Sequence, residues 1–168
     1  MASSAEAVAR SYFDAIAARD VDRLASHYDP EVVVEFIGQG IFRGPGEMRG
    51  FFSGLFAALP DAEMIADRVV GGDGVAVVEW RLRGNFTGDG ELFGIEPTGR
   101  WIEQRGCDVI LVSGDGKITR NTAYQDGMEM ARSIGMMPPL DSGAERAMKQ
   151  AFNLATRARR ALADRLGS

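Results

Sequence analysis

The first candidates for chemistry are two aspartates in the stretch RGCDVILVSGDGKITRNTAYQDG. Asp108 interrupts an apolar run and is followed directly by the apolar residues 109–112. Because burial among such side chains raises the pKa of a carboxyl, Asp108 is the better candidate for a catalytic residue. Asp126 ends the next predicted strand and stands three residues before Glu129, a spacing that resembles a capping box. We therefore predict chemistry at Asp108 and a helix cap at Asp126.

The strand that ends at Asp126 offers a polar face with further candidates. Side chains alternate along a strand, so Asn121, Ala123 and Gln125 share one face. Asn121 could donate a hydrogen bond to a carbonyl, orient a water, or be a satisfied buried amide. The sequence leaves these three roles of Asn121 open.

Arg105 precedes Asp108 by three residues near the end of a predicted strand. The two side chains could hold a substrate oxygen together or form a structural ion pair. Trp80, Phe86 and Trp101 also lie on predicted strands, where aromatic side chains form either cavity walls or ordinary core.

Composition narrows the function classes. The chain has 168 residues, which favours one domain, and its net charge of −5 argues against nucleic-acid binding. Cys107 is the only cysteine and His27 the only histidine, so we predict no intrachain disulfide and no metal site. We find no nucleotide-binding loop, no secretory signal and no membrane-length apolar run, and we predict a cytoplasmic protein without a cofactor.

Hydrophobic periodicity predicts helices before and after a group of strands. The predicted helices are residues 4–18, 21–28, 44–59, 127–136 and 144–166. The predicted strands are residues 31–37, 64–70, 74–86, 100–112 and 117–125, with GGDG and SGDG as turns. Early helices followed by long antiparallel strands indicate an α+β domain.

Four stretches within residues 5–139 carry a family resemblance: YFDAIAARDVDRLASHYDPEVVVEF, FRGPGEMRGFF, GNFTGDGELFGIEPTGRWIEQRGCDVI and GDGKITRNTAYQDGMEMARSIGMMP. Their order and spacing resemble the nuclear transport factor 2-like fold, which includes ketosteroid isomerase and the SnoaL-like polyketide cyclases. The resemblance implies a cone-shaped fold in which a curved antiparallel sheet wraps around the N-terminal helices and encloses a small-molecule cavity. It also implies a homodimer formed through the outer face of the sheet.

We divide the chain into a SnoaL-like domain, residues 1–139, and an extra C-terminal helical extension, residues 140–168. The extension carries a basic amphipathic helix, and we expect this helix to pack on the domain or on a partner subunit.

Ketosteroid isomerase resembles this chain at two of its functional positions. Tyr12 matches the tyrosine on its first helix. Asp108, nine residues before Lys117, matches an aspartic acid that stays protonated and donates a hydrogen bond to an enolate oxygen. The general base of the isomerase falls at about Phe36, which cannot take a proton.

The SnoaL-like cyclases resemble the chain in their frame more than in their catalytic residues. Their acid/base aspartate falls at Ala123, three residues before Asp126, and a histidine of the cyclases matches about Cys107. Neither Phe36 nor Ala123 supplies the acid that the relatives use. A non-catalytic binding or scaffold protein is therefore one alternative.

We predict a cofactor-independent cyclase or isomerase that acts on a hydrophobic, oxygenated small molecule, polyketide-like or steroid-like. An epoxide hydrolase or cofactor-free hydroxylase is the alternative among enzymes. The predicted catalytic residues are Asp108, Tyr12 and Asn121, which would polarise a carbonyl or epoxide oxygen. The predicted substrate-binding residues are Arg105, Trp80, Phe36, Phe86, Trp101 and Gln125.

Overall fold

A computed structural model describes residues 4–166. Within these residues the helices are α1 (Ala5–Ala17), α2 (Val21–Ser26), α3 (Gly44–Ala58), α4 (Gly127–Ser133) and α5 (Gly143–Leu166). The strands are β1 (Tyr28–Phe36), β2 (Gly40–Arg43), β3 (Glu63–Gly72), β4 (Val75–Asn85), β5 (Trp101–Val112) and β6 (Ile118–Gln125).

Local capping sets where the first helices begin. The Ser4 hydroxyl accepts a hydrogen bond from the Ala7 backbone N–H at 3.2 Å and caps α1. The Asp20 carboxylate accepts one from the Arg23 backbone N–H at 2.9 Å and caps α2. The second helix is shorter than predicted, because Tyr28 already belongs to β1.

The strands form one sheet in the order β2-β1-β6-β5-β4-β3. The predicted α+β architecture with a curved sheet is confirmed. In the described residues the pairs are antiparallel except β1 with β6, which run parallel. The long connection from β1 through α3 and the β3–β5 strands brings the chain back beside β1 in the same direction, a pairing that local periodicity cannot reveal. The short strand β2 was not predicted.

The inner face of the sheet packs against α1 and α3. Alternation along β4 turns Val78, Trp80 and Leu82 inward, and all three are buried. The same alternation turns Ile102, Asp108 and Ile110 of β5 to this face. The apolar core therefore lies between the sheet and the helices, and a single carboxyl lies on the inner face of the central strand β5.

Helix α5 is anchored at its start and otherwise leaves its apolar side exposed. The buried Glu145 carboxylate accepts hydrogen bonds from the Arg132 guanidinium at 2.9 Å and from the Asp141 backbone N–H at 2.8 Å. Beyond this anchor, Phe152 is 70% exposed and Leu162 is 59% exposed. Packing of the helix on a partner subunit stays a prediction.

Candidate active site

Asp108 lies at the centre of a hydrogen-bond network that three neighbouring strands supply. It pairs with Val78 of β4 and Ala123 of β6, so side chains two residues from these partners can reach it diagonally. Trp80 Nε1–H donates to Asp108 Oδ1 at 2.7 Å, and Asn121 Nδ2–H donates to Oδ2 at 2.7 Å. Both carboxylate oxygens are thus held by uncharged donors.

Burial dominates the acidity of this carboxyl. Asp108 is 5% exposed, and desolvation raises its pKa from 3.8 to about 6, although the hydrogen bonds from Asn121 and Trp80 lower it. A carboxyl with this pKa can both accept and return a proton near neutral pH.

Two tyrosines lie beside the carboxyl. The Tyr12 and Tyr28 hydroxyl oxygens are 2.6 Å apart, and both side chains are buried. Burial raises the pKa of each, and the nearby Asp108 charge raises both further, so both hydroxyls stay protonated at neutral pH. Tyr28 was not predicted as a site residue, because only tertiary contact between α1 and the start of β1 brings it to Tyr12.

A narrow apolar cavity opens beside this network. Its volume, taken as the space open to the centres of water-sized molecules, is about 40 Å³. The predicted site residues among its walls are Tyr12, Phe36, Trp80, Asp108 and Gln125. Apolar side chains of α1, α3, β3, β4, α4 and the loop before β5 complete the walls, so most of the surface that the carboxyl faces is apolar.

Asn121 is not a wall of the cavity but supports Asp108 from the neighbouring strand. It is 1% exposed, and its Oδ1 has no hydrogen-bond partner within the described residues. Gln125 lines the cavity and donates through Nε2 to the Gln39 side-chain oxygen at 2.7 Å.

Three predicted substrate-binding residues do not reach the cavity. Arg105 differs from Asp108 by an odd number of residues along β5, so it lies on the outer face, where its guanidinium bonds the Glu129 carboxylate at 3.0 Å. The expected pair with Asp108 is therefore not formed. Trp101 is 52% exposed on the same outer face, and Phe86 is fully buried core outside the cavity walls.

Asp126 has the predicted structural role. Its carboxylate accepts hydrogen bonds from the backbone N–H groups of Met128 at 2.8 Å and Glu129 at 3.2 Å, which caps α4.

Among residues 4–166, no group of three His, Cys, Asp or Glu side chains could hold a metal ion. Over the same span, no helix is both long and apolar enough to cross a membrane.

Comparison with known proteins places this geometry in a family. The model of the SnoaL-like domain matches residues 9–121, which is more than half of the chain. No curated protein matches the chain.

Among solved structures, AclR, a putative hydroxylase from Streptomyces galilaeus, has a TM-score of 0.68 at 16% identity, covering 92% of this chain and 93% of its own. A putative SnoaL-like polyketide cyclase from Jannaschia sp. CCS1 has a TM-score of 0.67 at 21% identity, with coverage of 78% and 91%. A protein of ketosteroid isomerase-like fold from Catenulispora acidiphila has a TM-score of 0.64 at 11% identity, with coverage of 79% and 97%. At these identities the three structures establish the shared fold, and the domain match establishes that this chain belongs to the SnoaL-like domain family.

Proposed function

We propose that the protein is a cofactor-independent isomerase or cyclase that moves a proton on a hydrophobic, oxygenated small molecule. The observation that carries this proposal is the buried Asp108 carboxyl, with a pKa of about 6, facing an apolar cavity. A base with a pKa near the working pH is effective in proton transfer. The apolar walls favour a substrate that is mostly hydrocarbon around its reacting carbonyl.

The proposed first step is the removal of a proton from the carbon next to a substrate carbonyl. The Asp108 carboxylate takes this proton, and the electron pair of the C–H bond moves onto the carbonyl oxygen as an enolate forms. The Tyr12 hydroxyl donates a hydrogen bond to that oxygen, while Tyr28 donates to Tyr12. Return of the proton to a different carbon completes an isomerisation.

Cyclisation follows from the same intermediate. The enolate carbon attacks a second carbonyl of the substrate, a carbon–carbon bond forms, and the new alkoxide takes the proton from Asp108. The resemblance implied that Asp108 acts as a protonated donor to the substrate oxygen. The two N–H donors on its oxygens stabilise the carboxylate, which supports the role of base and leaves oxygen polarisation to Tyr12.

Hydrogen–deuterium exchange tests this proposal without knowledge of the natural substrate. The α-protons of 1-tetralone, a bicyclic ketone, are followed by NMR in D2O. We expect the wild type to speed exchange above buffer, Asp108→Asn to abolish the gain, and Tyr12→Phe to reduce it roughly 10²-fold. The control Asp73→Asn, in the turn between β3 and β4, should match the wild type. Equal rates in wild type and Asp108→Asn would refute the proposal.

A binding protein without catalysis is the second candidate. It is favoured by Phe36 and Ala123, which occupy positions where the resembling enzymes carry acids. The same ketone separates the two candidates, because a binding protein would hold 1-tetralone without speeding its exchange. Tight binding with no acceleration of exchange would favour the second candidate.

We also propose a homodimer in which the outer sheet faces meet and α5 packs on the second copy. The outer face exposes the apolar side chains Val77, Leu111 and Tyr124. Residues 143–166 carry six basic and two acidic side chains, whereas the whole chain has a net charge of −5, so the remainder has a net charge of −9. Attraction between the basic helix and the acidic body of a second copy supports this arrangement.

Light scattering on the full chain measures this assembly. We expect a dimer mass for the wild type and a monomer mass for Phe152→Glu, which places a charge on the exposed apolar side of α5. Asn153→Glu, on the polar side of the helix, is the matched control and should stay dimeric. A monomeric wild type would contradict the proposal.

The single cysteine supports a reducing compartment, and we expect the protein in the cytoplasm.

A further inference from the structure

A second concave space adjoins the Asp108 cavity, and we call it the outer pocket. Four apolar residues line both spaces and form a partition between them: Phe51, Leu55, Leu92 and Phe93. The outer pocket offers about 250 Å³ to the centres of water-sized molecules, against about 40 Å³ in the cavity. Its further walls are Phe42, Gly50, Gly54 and Glu91.

A substrate with several rings needs more room than the Asp108 cavity provides. The cavity offers only about one sixth of the outer pocket's room for the centres of water-sized molecules, about 40 Å³ against about 250 Å³. A ketone with several rings cannot fit beside Asp108 unless part of it extends past the partition. The outer pocket is the space into which such a substrate would continue.

Two glycines keep the outer pocket open on its helical side. Gly50 and Gly54 lie one turn apart in α3, where each glycine costs about 1 kcal/mol relative to alanine. A Cβ atom at either position would meet no atom within 4 Å, so close packing inside the protein does not account for them. Larger side chains at these positions would project into the space that the pocket occupies.

The partition contains one side chain that is partly open to solvent. Phe93 is 46% exposed and lies in a turn that the Leu92–Ile95 bridge closes. Its ring centroid is 6.4 Å from that of Phe51, an aromatic contact at the edge of the core. Phe93 is thus the exposed member of the partition, whereas Leu55 and Leu92 are buried.

We propose that the outer pocket is a second subsite, which binds the distal rings of a neutral, extended, fused-ring substrate whose carbonyl reaches Asp108. The aromatic side chains Phe42, Phe51 and Phe93 suit a flat apolar ring system, and Glu91 at the wall disfavours an anionic one. Gly54 and Phe93 then set how long the substrate can be. This inference rests on the proposed function and names its substrate class.

Fluorescence titration with two neutral phenols tests the subsite. 2-Naphthol has two rings, so little of it extends past the partition, whereas 1-hydroxypyrene has four rings and must extend into the outer pocket. We expect Gly54→Leu to weaken binding of 1-hydroxypyrene at least about tenfold and to change binding of 2-naphthol less than about twofold. Gly54 is partly exposed with open space beside it, so this variant should fold.

Gly46→Leu is the matched control, since Gly46 lies on the same helix outside the pocket walls and also has open space beside it. It should bind both phenols as the wild type does. Equal loss of both phenols in Gly54→Leu, no loss of either, or failure of the wild type to bind 1-hydroxypyrene would overturn the subsite. Because these titrations involve no catalysis, such a failure leaves the exchange test of Asp108 standing.

Discussion

Replacement of Asp108 by asparagine should stabilise the folded protein at neutral pH while it removes the proposed base. Burial raises the pKa of Asp108 from 3.8 to about 6. Each pKa unit corresponds to about 1.4 kcal/mol, so the ionised carboxyl reduces the free energy of unfolding at pH 7.5 by roughly 3 kcal/mol relative to pH below 3.8.

The direction of the pH dependence follows from which state holds the proton. Below pH 3.8 the carboxyl is protonated in the folded and the unfolded chain alike, so Asp108 does not reduce the free energy of unfolding. As the pH rises toward about 6, the unfolded chain loses its proton first, so the free energy of unfolding falls. Above that pH both states are ionised, and the loss is complete.

The local geometry should accept the introduced amide. Its oxygen can accept the hydrogen bond from Trp80, and its N–H group needs an acceptor. The Asn121 Oδ1 has no partner within the described residues, so a half-turn of the Asn121 amide would supply that acceptor. The variant therefore exchanges a buried charge for a neutral pair, in which the turned Asn121 amide can donate to the neighbouring Tyr12 hydroxyl oxygen and one N–H group of the new amide has no acceptor.

Urea unfolding of both proteins at pH 4 and pH 7.5 measures the effect. We expect Asp108→Asn to exceed the wild type by roughly 3 kcal/mol at pH 7.5 and by less than about 1 kcal/mol at pH 4. Asp73→Asn, which also removes one carboxylate but at an exposed turn, should stay within about 0.5 kcal/mol of the wild type. A variant less stable than the wild type at pH 7.5, or a difference that is the same at both pH values, would refute the reasoning.

Three further substitutions probe the same region. Trp80→Phe removes a hydrogen-bond donor that lowers the pKa of Asp108, so we expect this pKa to rise by roughly one unit. Titration of the carboxyl by NMR would show a higher midpoint, and an unchanged midpoint would show that Trp80 does not donate to Asp108. Gly106→Ala places a methyl group against the Trp80 ring and should cost about 1–3 kcal/mol in urea, whereas a neutral result would mean that the ring lies elsewhere. Asp126→Ala removes the cap of α4 and should cost about 1 kcal/mol, with no loss contradicting the capping geometry.

Some site residues are placed by local sequence patterns, and others only by contacts between distant strands. Asp126 could be assigned from a local pattern, because a cap and its N–H donors lie within three residues of one another. Asp108 could be placed on a buried strand face from the apolar residues around it. Arg105 was misplaced, because it stands an odd number of residues from Asp108 along the strand and alternation turns it outward to Glu129.

The sequence by itself determined the α+β architecture, the long strands and their turns, the cap at Asp126 and the candidacy of Asp108, because each of these depends on neighbours within a few residues. Only the tertiary structure decided the parallel pairing of β1 with β6, the contact between Tyr12 and Tyr28, and the diagonal approach of Trp80 and Asn121 to the Asp108 oxygens. These features depend on sheet order and register, and residues 13 to 28 positions apart in the chain then share one buried site.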